Sequence, residues 1–212
     1  MTNYILFDVG ANWGVDSLGK TAQNPNVITY AFEPTPYHLA HLKNASASFS
    51  HRYNIYPYAV SDIDGTANFK IVFDHNGGCN SLNTFSEGLD KTWPGRPDFK
   101  VKEEMPVRVI RLDTWIRENN IKLEKIDYFH CDVQGSDLRV LQGLGDYLEL
   151  IQYGVIECAS GESVKLYKEN HTLAQAIEWL DSKGFVIDHT ESGDPENNEV
   201  NLHFRKRKYQ VK

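Results

Sequence analysis

Asp8 lies near the end of a short apolar run, Tyr4 to Val9, with Gly10 and Gly14 directly after it, and Glu33 closes a second run, Val27 to Phe32. In a βαβ unit the turn after the first strand lets a ligand approach the backbone. An acid at the tip of the second strand can accept hydrogen bonds from two ribose hydroxyls. The stretch Gly10-Ala-Asn-Trp-Gly14 lacks the Gly-x-Gly-x-x-Gly spacing that seats a pyrophosphate on a helix N-terminus. A carboxylate at Asp8 repels a diphosphate and pairs with an ammonium. These residues therefore fit an adenosine cofactor whose other part is an amino acid. S-adenosylmethionine, with an ammonium and a sulfonium, has that charge pattern. Taken singly, Asp8 also reads as a turn cap and Glu33 as a solvated loop acid.

A second group of candidates lies farther along the chain. His130 and Asp132 are two residues apart, so both point to one side of a strand that continues to Asp132. Strand ends in open α/β sheets line the ligand crevice. His130 is then either a general base, with Asp132 as its orienter or as a cofactor contact, or a satisfied, partly buried histidine. Glu157, near the end of the next apolar run, is the rival base or a partner for a substrate hydroxyl, against the plainer reading of an acid bonded to a neighbouring loop. His38 and His41 have a spacing that places two metal ligands on one helix face, but no carboxylate accompanies them. They read as a solvated face, and no metal site is expected. Trp13 reads as core or helix packing, with an aromatic platform over adenine as the alternative its place in the turn leaves open.

The elements that must position these groups alternate. Tyr4 to Val9, Val27 to Phe32 and Ile55 to Val60 read as strands, with helices from about Gly14 and from Pro36 to Ala47 between them. Alternation of this kind implies a parallel sheet. Gly65 to Phe73 and Met105 to Leu112 read as an inserted antiparallel pair, followed by a short helix over Asp113 to Asn119. Ile126 to Cys131, a helix over Ser136 to Leu144, Ile151 to Cys158 and an amphipathic helix over Thr172 to Lys183 resume the alternation, with Gly184 as its stop. Phe185 to Asp188 and Val200 to Phe204, separated by the turn-rich stretch Glu191 to Glu199, predict a terminal antiparallel hairpin. The fold class expected is α/β, a Rossmann-like, seven-stranded, mostly parallel sheet.

The 212 residues suit one well-buried domain, and no Pro/Gly/Ser linker divides them. A formal charge of −7, with Lys and Arg scattered, gives no footprint for nucleic acid. The basic run Arg205 to Lys208 reads as a solvated tail. No apolar run approaches membrane-spanning length, and the first strand follows Met1 too closely for a signal peptide, so a cytoplasmic protein without membrane insertion is expected. Cys79, Cys131 and Cys158 have no metal-site spacing, and the last two read as buried reduced thiols.

Five segments, in order, carry a resemblance across nearly the whole chain: Phe7-Asp-Val-Gly-Ala-Asn-Trp-Gly14, Ala31-Phe-Glu-Pro-Thr-Pro36, Tyr58-Ala-Val-Ser-Asp62, Val109-Ile-Arg-Leu-Asp113 and Ile126-Asp-Tyr-Phe-His-Cys-Asp-Val-Gln-Gly135. The chain resembles the FkbM-type family of S-adenosylmethionine-dependent methyltransferases, whose members mostly methylate hydroxyls of sugars and natural products. The resemblance implies that Asp8, Gly10, Asn12 and Gly14 surround the methionine part of the cofactor, that Glu33 holds its ribose, and that Ser61 and Asp62 lie near its adenine. It also implies a small-molecule or glycan acceptor. Where the family has Lys and then Asp-x-Glu-Gly, this chain has His130, Asp132, Gln134 and Gly135. The other readings are an NAD(P)-dependent oxidoreductase, which the missing third glycine disfavours, and a non-catalytic partner that has lost the glutamate at position 134. The polar stretch Asp74 to Glu104 is long for a loop and is expected either to cover the acceptor, with Trp93 and Arg96 as contacts, or to be a surface loop.

Overall fold

The computed structural model describes residues 3–72, 78–96 and 99–207. Five strands and two helices build the first half: β1 (Tyr4–Val9), α1 (Leu18–Gln23), β2 (Val27–Phe32), α2 (Pro36–Ala45), β3 (Tyr53–Tyr56), β4 (Ala59–Val60) and β5 (Gly65–Val72). The second half holds α3 (Leu89–Thr92), β6 (Val101–Ile110), α4 (Leu112–Glu118), β7 (Tyr128–Cys131), α5 (Asp137–Gln142), β8 (Tyr153–Ala159), α6 (Leu173–Ser182), β9 (Phe185–Ser192) and β10 (Glu199–Lys206).

A seven-stranded sheet has the order β3-β2-β1-β7-β8-β10-β9. All pairings from β3 to β8 are parallel, and β10 is antiparallel to both β8 and β9. The central strand shows why a parallel sheet forms here. Leu6, Phe7, Asp8 and Val9 are successive buried residues, so both faces of β1 are covered, as helical crossovers require. On one face Phe7, Phe32 and Phe129 pack around Trp115 of α4. On the other a smaller cluster of Ala31, Leu42, Phe49 and Tyr53 seats α2. Helix α6 starts from a capping box in which the Thr172 hydroxyl accepts the Gln175 N–H and the Gln175 side chain accepts the Thr172 N–H. It buries Ala176 and Leu180.

The chain leaves β1 toward β2 and β3, then returns to place β7 on the other side of β1. That reversal is the switch point at which open α/β sheets form a crevice beyond their strand ends.

Three expectations are corrected. Ile55 to Val60 is not one strand: Pro57 has no N–H for a ladder, and the chain splits there into β3 and β4. β4 joins a separate three-stranded sheet, β4-β6-β5, so the inserted pair has a third member. Arg205 and Lys206 belong to β10 rather than to a tail, and Arg207 pairs with Asp181; Lys208 lies outside the described residues.

The insertion between β5 and β6 is packed onto the body. Ser81 bridges Lys70 of β5, and Phe85 stacks on Tyr167 with ring centroids 5.1 Å apart. Trp93 is 1% exposed among Leu166, Tyr167 and Phe99, and its indole N–H donates to Asp194 at 2.8 Å. Trp93 is therefore a core residue of the insertion and not a surface awaiting an acceptor. Of the stretch Asp74 to Glu104 expected as a cover, residues 74–77 and 97–98 lie outside the described residues.

Candidate active site

A cleft opens beyond the ends of β1, β2 and β7. Its floor is set by a glycine. Gly10 has φ +80°, and a Cβ there would sit 1.9 Å from the Asp132 carbonyl oxygen, so the loop after β1 lies directly on the loop after β7. Asn12, also left-handed at φ +47°, follows on the cleft wall. Its side-chain oxygen is buried with no hydrogen-bond partner.

Glu33, buried at the tip of β2, accepts the Asn12 N–H at 3.0 Å, the Thr35 N–H at 2.8 Å and the Thr35 hydroxyl at 2.6 Å. It thus ties together the loops after β1 and β2, and it lines the cleft. His38 lines it as well. Its Nδ1 meets the Thr35 hydroxyl at 2.8 Å, and its Nε2 is buried without a partner. The reading of His38 as a solvated helix residue is corrected: the first turn of α2 faces the cleft because Pro36 begins the helix at the strand end. An unmet amide oxygen, an unmet imidazole nitrogen and a carboxylate on one wall suit a ligand with an ammonium and ribose hydroxyls.

The opposite wall is the loop after β7. Asp132, Val133 and Gln134 line the cleft. Gln134 adopts φ +57° and is held at every polar atom of its side chain and at its carbonyl. Its amide N–H group donates to Asp132 at 2.7 Å and to Glu157 at 3.1 Å, and its side-chain oxygen accepts the Tyr167 hydroxyl at 2.9 Å. Its backbone carbonyl accepts from the Ser81 hydroxyl at 2.6 Å and the Asn83 amide at 2.9 Å. A glutamate here would put a third carboxylate between two others; the glutamine donates to both. Gly78, Asn80 and Leu82 of the insertion complete the wall.

Other expected site residues fall elsewhere. Asp8 is 1% exposed and does not line the cleft; one oxygen takes the Ser17 hydroxyl and the other meets His130 Nδ1 at 2.9 Å. The orienter of His130 is therefore Asp8 and not Asp132, because β1 and β7 are neighbours with Asp8 opposite His130. His130 Nε2 points to Asp16 at 3.4 Å. Burial opposes its charge, but the Asp8 hydrogen bond and the charges of Asp8, Asp16 and Asp132 outweigh it and lift the imidazole to about 9. His130 does not line the cleft, and its two ring nitrogens are directed at Asp8 and Asp16, which argues against its reading as a general base. Gly14 packs against Leu18 and Leu42 and keeps α1 close to α2. Ser61 and Asp62 lie past the wall formed by Tyr58, Ala59 and Val60; Ser61 donates to Asp62, whose carbonyl accepts from Arg111. Glu157 sits behind Gln134 and is not a lining residue.

Burial and mutual repulsion raise the carboxyls around this loop. Burial, then the Asp132 charge, pushes Asp137 up to about 7, and burial with Asp132 and Asp194 pushes Glu199 to about 8. Asp132 and Glu157 are raised by burial first. With these carboxyls and His130 titrating higher in the fold than in the open chain, the native state binds more protons between about pH 4 and 9. Stability should fall as pH rises through that window. His130 contributes fully below about pH 6.5 and nothing above about 9, whereas the acids are uncharged at the low end and fully penalised at the high end. Glu199 Oε1 is buried without a partner. We expect Glu199→Gln to stabilise the protein by about 2 kcal/mol at pH 9 and to change little at pH 4, measured by urea unfolding. Equal effects at both pH values would refute the assignment.

Counted within the sheet alone, the strand order is 3-2-1-4-5-7-6 with one reversed strand, and the cleft lies at the switch point. That combination defines the Rossmann-like fold of class I methyltransferases. Residues 8–187 match the methyltransferase FkbM domain, and the chain belongs to that family. It is 29% identical to the 31-O-demethyl-FK506 methyltransferase FkbM of Streptomyces tacrolimicus, over 67% of this chain and 60% of that protein. Among solved structures, methyltransferase FkbM from Methylobacillus flagellatus KT aligns with a TM-score of 0.60 at 14% identity, over 95% of this chain and 43% of that one. TrmK of M. capricolum, in complex with S-adenosyl-homocysteine, aligns with a TM-score of 0.51 at 13% identity, over 99% of this chain and 66% of that one. At such identities the two structures speak for the fold. The chain spans 60% of the length of its curated relative. Among the described residues no helix is long and apolar enough to cross a membrane.

Proposed function

We propose that the protein is an O-methyltransferase that methylates a hydroxyl of a sugar or natural-product-like acceptor. The cofactor is S-adenosyl-L-methionine, as befits the family. The observation that carries the reading is the pairing of two walls across one cleft: Asn12, Glu33 and His38 on one side, and Asp132, fixed by Gln134, on the other. Direction toward oxygen is supported by the name of the S. tacrolimicus relative and by the presence of Asp132 among the residues that line the cleft.

When bound, the cofactor supplies an activated methyl group. The chain's own residues then have distinct tasks. Glu33 accepts ribose hydroxyls, Asn12 offers its unmet oxygen to the ammonium, and Asp8 with His130 fixes the loop after β1 from behind. Asp132 accepts the proton of the acceptor hydroxyl. Its pKa, raised by burial, makes it a better base than an exposed aspartate. Glu157 holds Asp132 in place through Gln134. Most of the rate comes from alignment of the reacting oxygen, since methyl transfer from a sulfonium needs little acid assistance.

Calorimetric titration with S-adenosylhomocysteine should give one saturable site, and a panel of sugar and polyketide hydroxyls should include one that takes up labelled methyl. No binding by folded protein would overturn the reading. Binding without transfer to any hydroxyl in the panel would favour a non-catalytic partner.

A further inference from the structure

We propose that His189, Glu191 and His203 on the β9–β10 hairpin bind a divalent transition-metal ion of the zinc class, at a site separate from the cleft. His189 and His203 are directly opposite across the two strands, and Glu191 lies two residues from His189 on the same face. The Nε2 atoms of the two histidines approach the two Glu191 oxygens at 3.4 and 3.6 Å. Ligands about 2.0–2.1 Å from a tetrahedral ion are separated by about 3.4 Å, so each histidine–glutamate separation is of the size an ion needs. One ligand atom from each of the three residues lies within 4.8 Å of the others.

Two further features point to an ion rather than to a chance cluster of polar groups. Both histidines have Nδ1 occupied by an outer group: His189 Nδ1 meets Asp188 at 3.0 Å, and His203 Nδ1 meets the Tyr153 hydroxyl at 2.9 Å. With the proton on Nδ1, both Nε2 lone pairs are left free on the side of Glu191, and an outer partner of this kind is how metal-binding histidines are fixed in tautomer. The second feature is His203 Nε2 itself, which is buried and has no hydrogen-bond partner. Only 14% of the His203 side chain is exposed, so water reaches it poorly. An ion would meet this nitrogen where Glu191, at 3.6 Å, does not.

The rings are stacked at 4.2 Å with planes 9° apart, so one must turn for the ion to lie near both ring planes. His189, with 45% of its side chain exposed, has room to turn about its broad χ2 well, while His203 stays against Tyr153. Neutral imidazole and carboxylate donors with a water in the fourth position suit Zn²⁺ and also Co²⁺ and Ni²⁺. None of the three residues lines the cleft, so the proposal stands apart from the methyltransferase reading. A bound ion would join β9 to β10 near the outer edge of the sheet.

The test is calorimetric titration of the chelator-treated, histidine-tag-free chain with ZnCl₂, with Co²⁺ absorption as a second readout. The parent should bind one equivalent, with a rise in thermal midpoint. His203→Ala and Glu191→Gln should each weaken binding by about 10-fold or more, and Tyr153→Phe, which keeps every ligand, by about 10-fold. Circular dichroism checks that each variant is folded. Absence of a stoichiometric site, affinity unchanged in His203→Ala and Glu191→Gln, or a Co²⁺ spectrum with thiolate charge transfer from a cysteine would each overturn the proposal.

Discussion

Replacing Glu33 with alanine is expected to weaken S-adenosylhomocysteine binding by about 100-fold or more in calorimetry, because charge-assisted hydrogen bonds contribute roughly 1.5–3 kcal/mol each and two ribose hydroxyls would lose their acceptor. A carboxylate has about four acceptor positions, and the Asn12 N–H, the Thr35 N–H and the Thr35 hydroxyl take three of them. One position stays open on the oxygen that faces Asn12. The Thr35 hydroxyl can redirect its proton to His38 Nδ1, 2.8 Å away, and so release a second. In that state the proton of His38 resides on Nε2, which turns the unmet cleft nitrogen into a donor. Glu33→Gln keeps the shape but sets an amide donor against one of the N–H groups, so its loss should fall between parent and alanine. The reading would be sunk by a folded Glu33→Ala protein that binds within about threefold of the parent.

Asp132→Asn is expected to lower turnover by about 100-fold or more while cofactor affinity changes little, since general-base assistance contributes on the order of 10²–10⁴. The variant keeps the Gln134 contact available through its amide oxygen, which separates loss of the base from loss of the loop. In the parent the acidic limb of kcat/KM should lie above the ordinary carboxylate range, because burial raises Asp132. Glu157→Gln is the companion variant. A larger loss of turnover in Glu157→Gln than in Asp132→Asn would transfer the proton-accepting role, and unchanged turnover in both would remove a carboxylate base altogether.

Much of the fold is legible because local patterns agree with the global one. β1 and β2 have the predicted bounds, since each is a short apolar run closed by a turn or an acid. α6 is legible from its cap and its apolar face. The site is legible only where it is local in sequence: Gly10, Asn12 and Glu33 fall on the cleft because strand ends and their turns define it. What the sequence does not disclose is lateral. The Asp8–His130 pair joins residues 122 apart and depends on β7 returning beside β1. His38 looked solvated because helical spacing reveals which residues share a face, not what that face meets. Gln134 looked like a lost acid, and only its three side-chain partners, contributed by separate loops and strands, give it a positive role.

The Ser81 and Asn83 bonds to the Gln134 carbonyl have an implication for how such proteins diversify. Insertions are ordinarily the freest part of a sheet enzyme to exchange, since they hang from strand ends and tolerate changes of length. Here the segment that supplies Gly78, Asn80 and Leu82 to the cleft wall also clamps the loop bearing the proposed base. A chimaera that swaps residues 78–96 for a relative's loop would inherit a new acceptor wall together with a loosened Asp132. On the proposed reading, selectivity and rate in this chain would be tied to one another, and a new acceptor range would be reached by point changes at Asn80 or Leu82 more readily than by wholesale grafting.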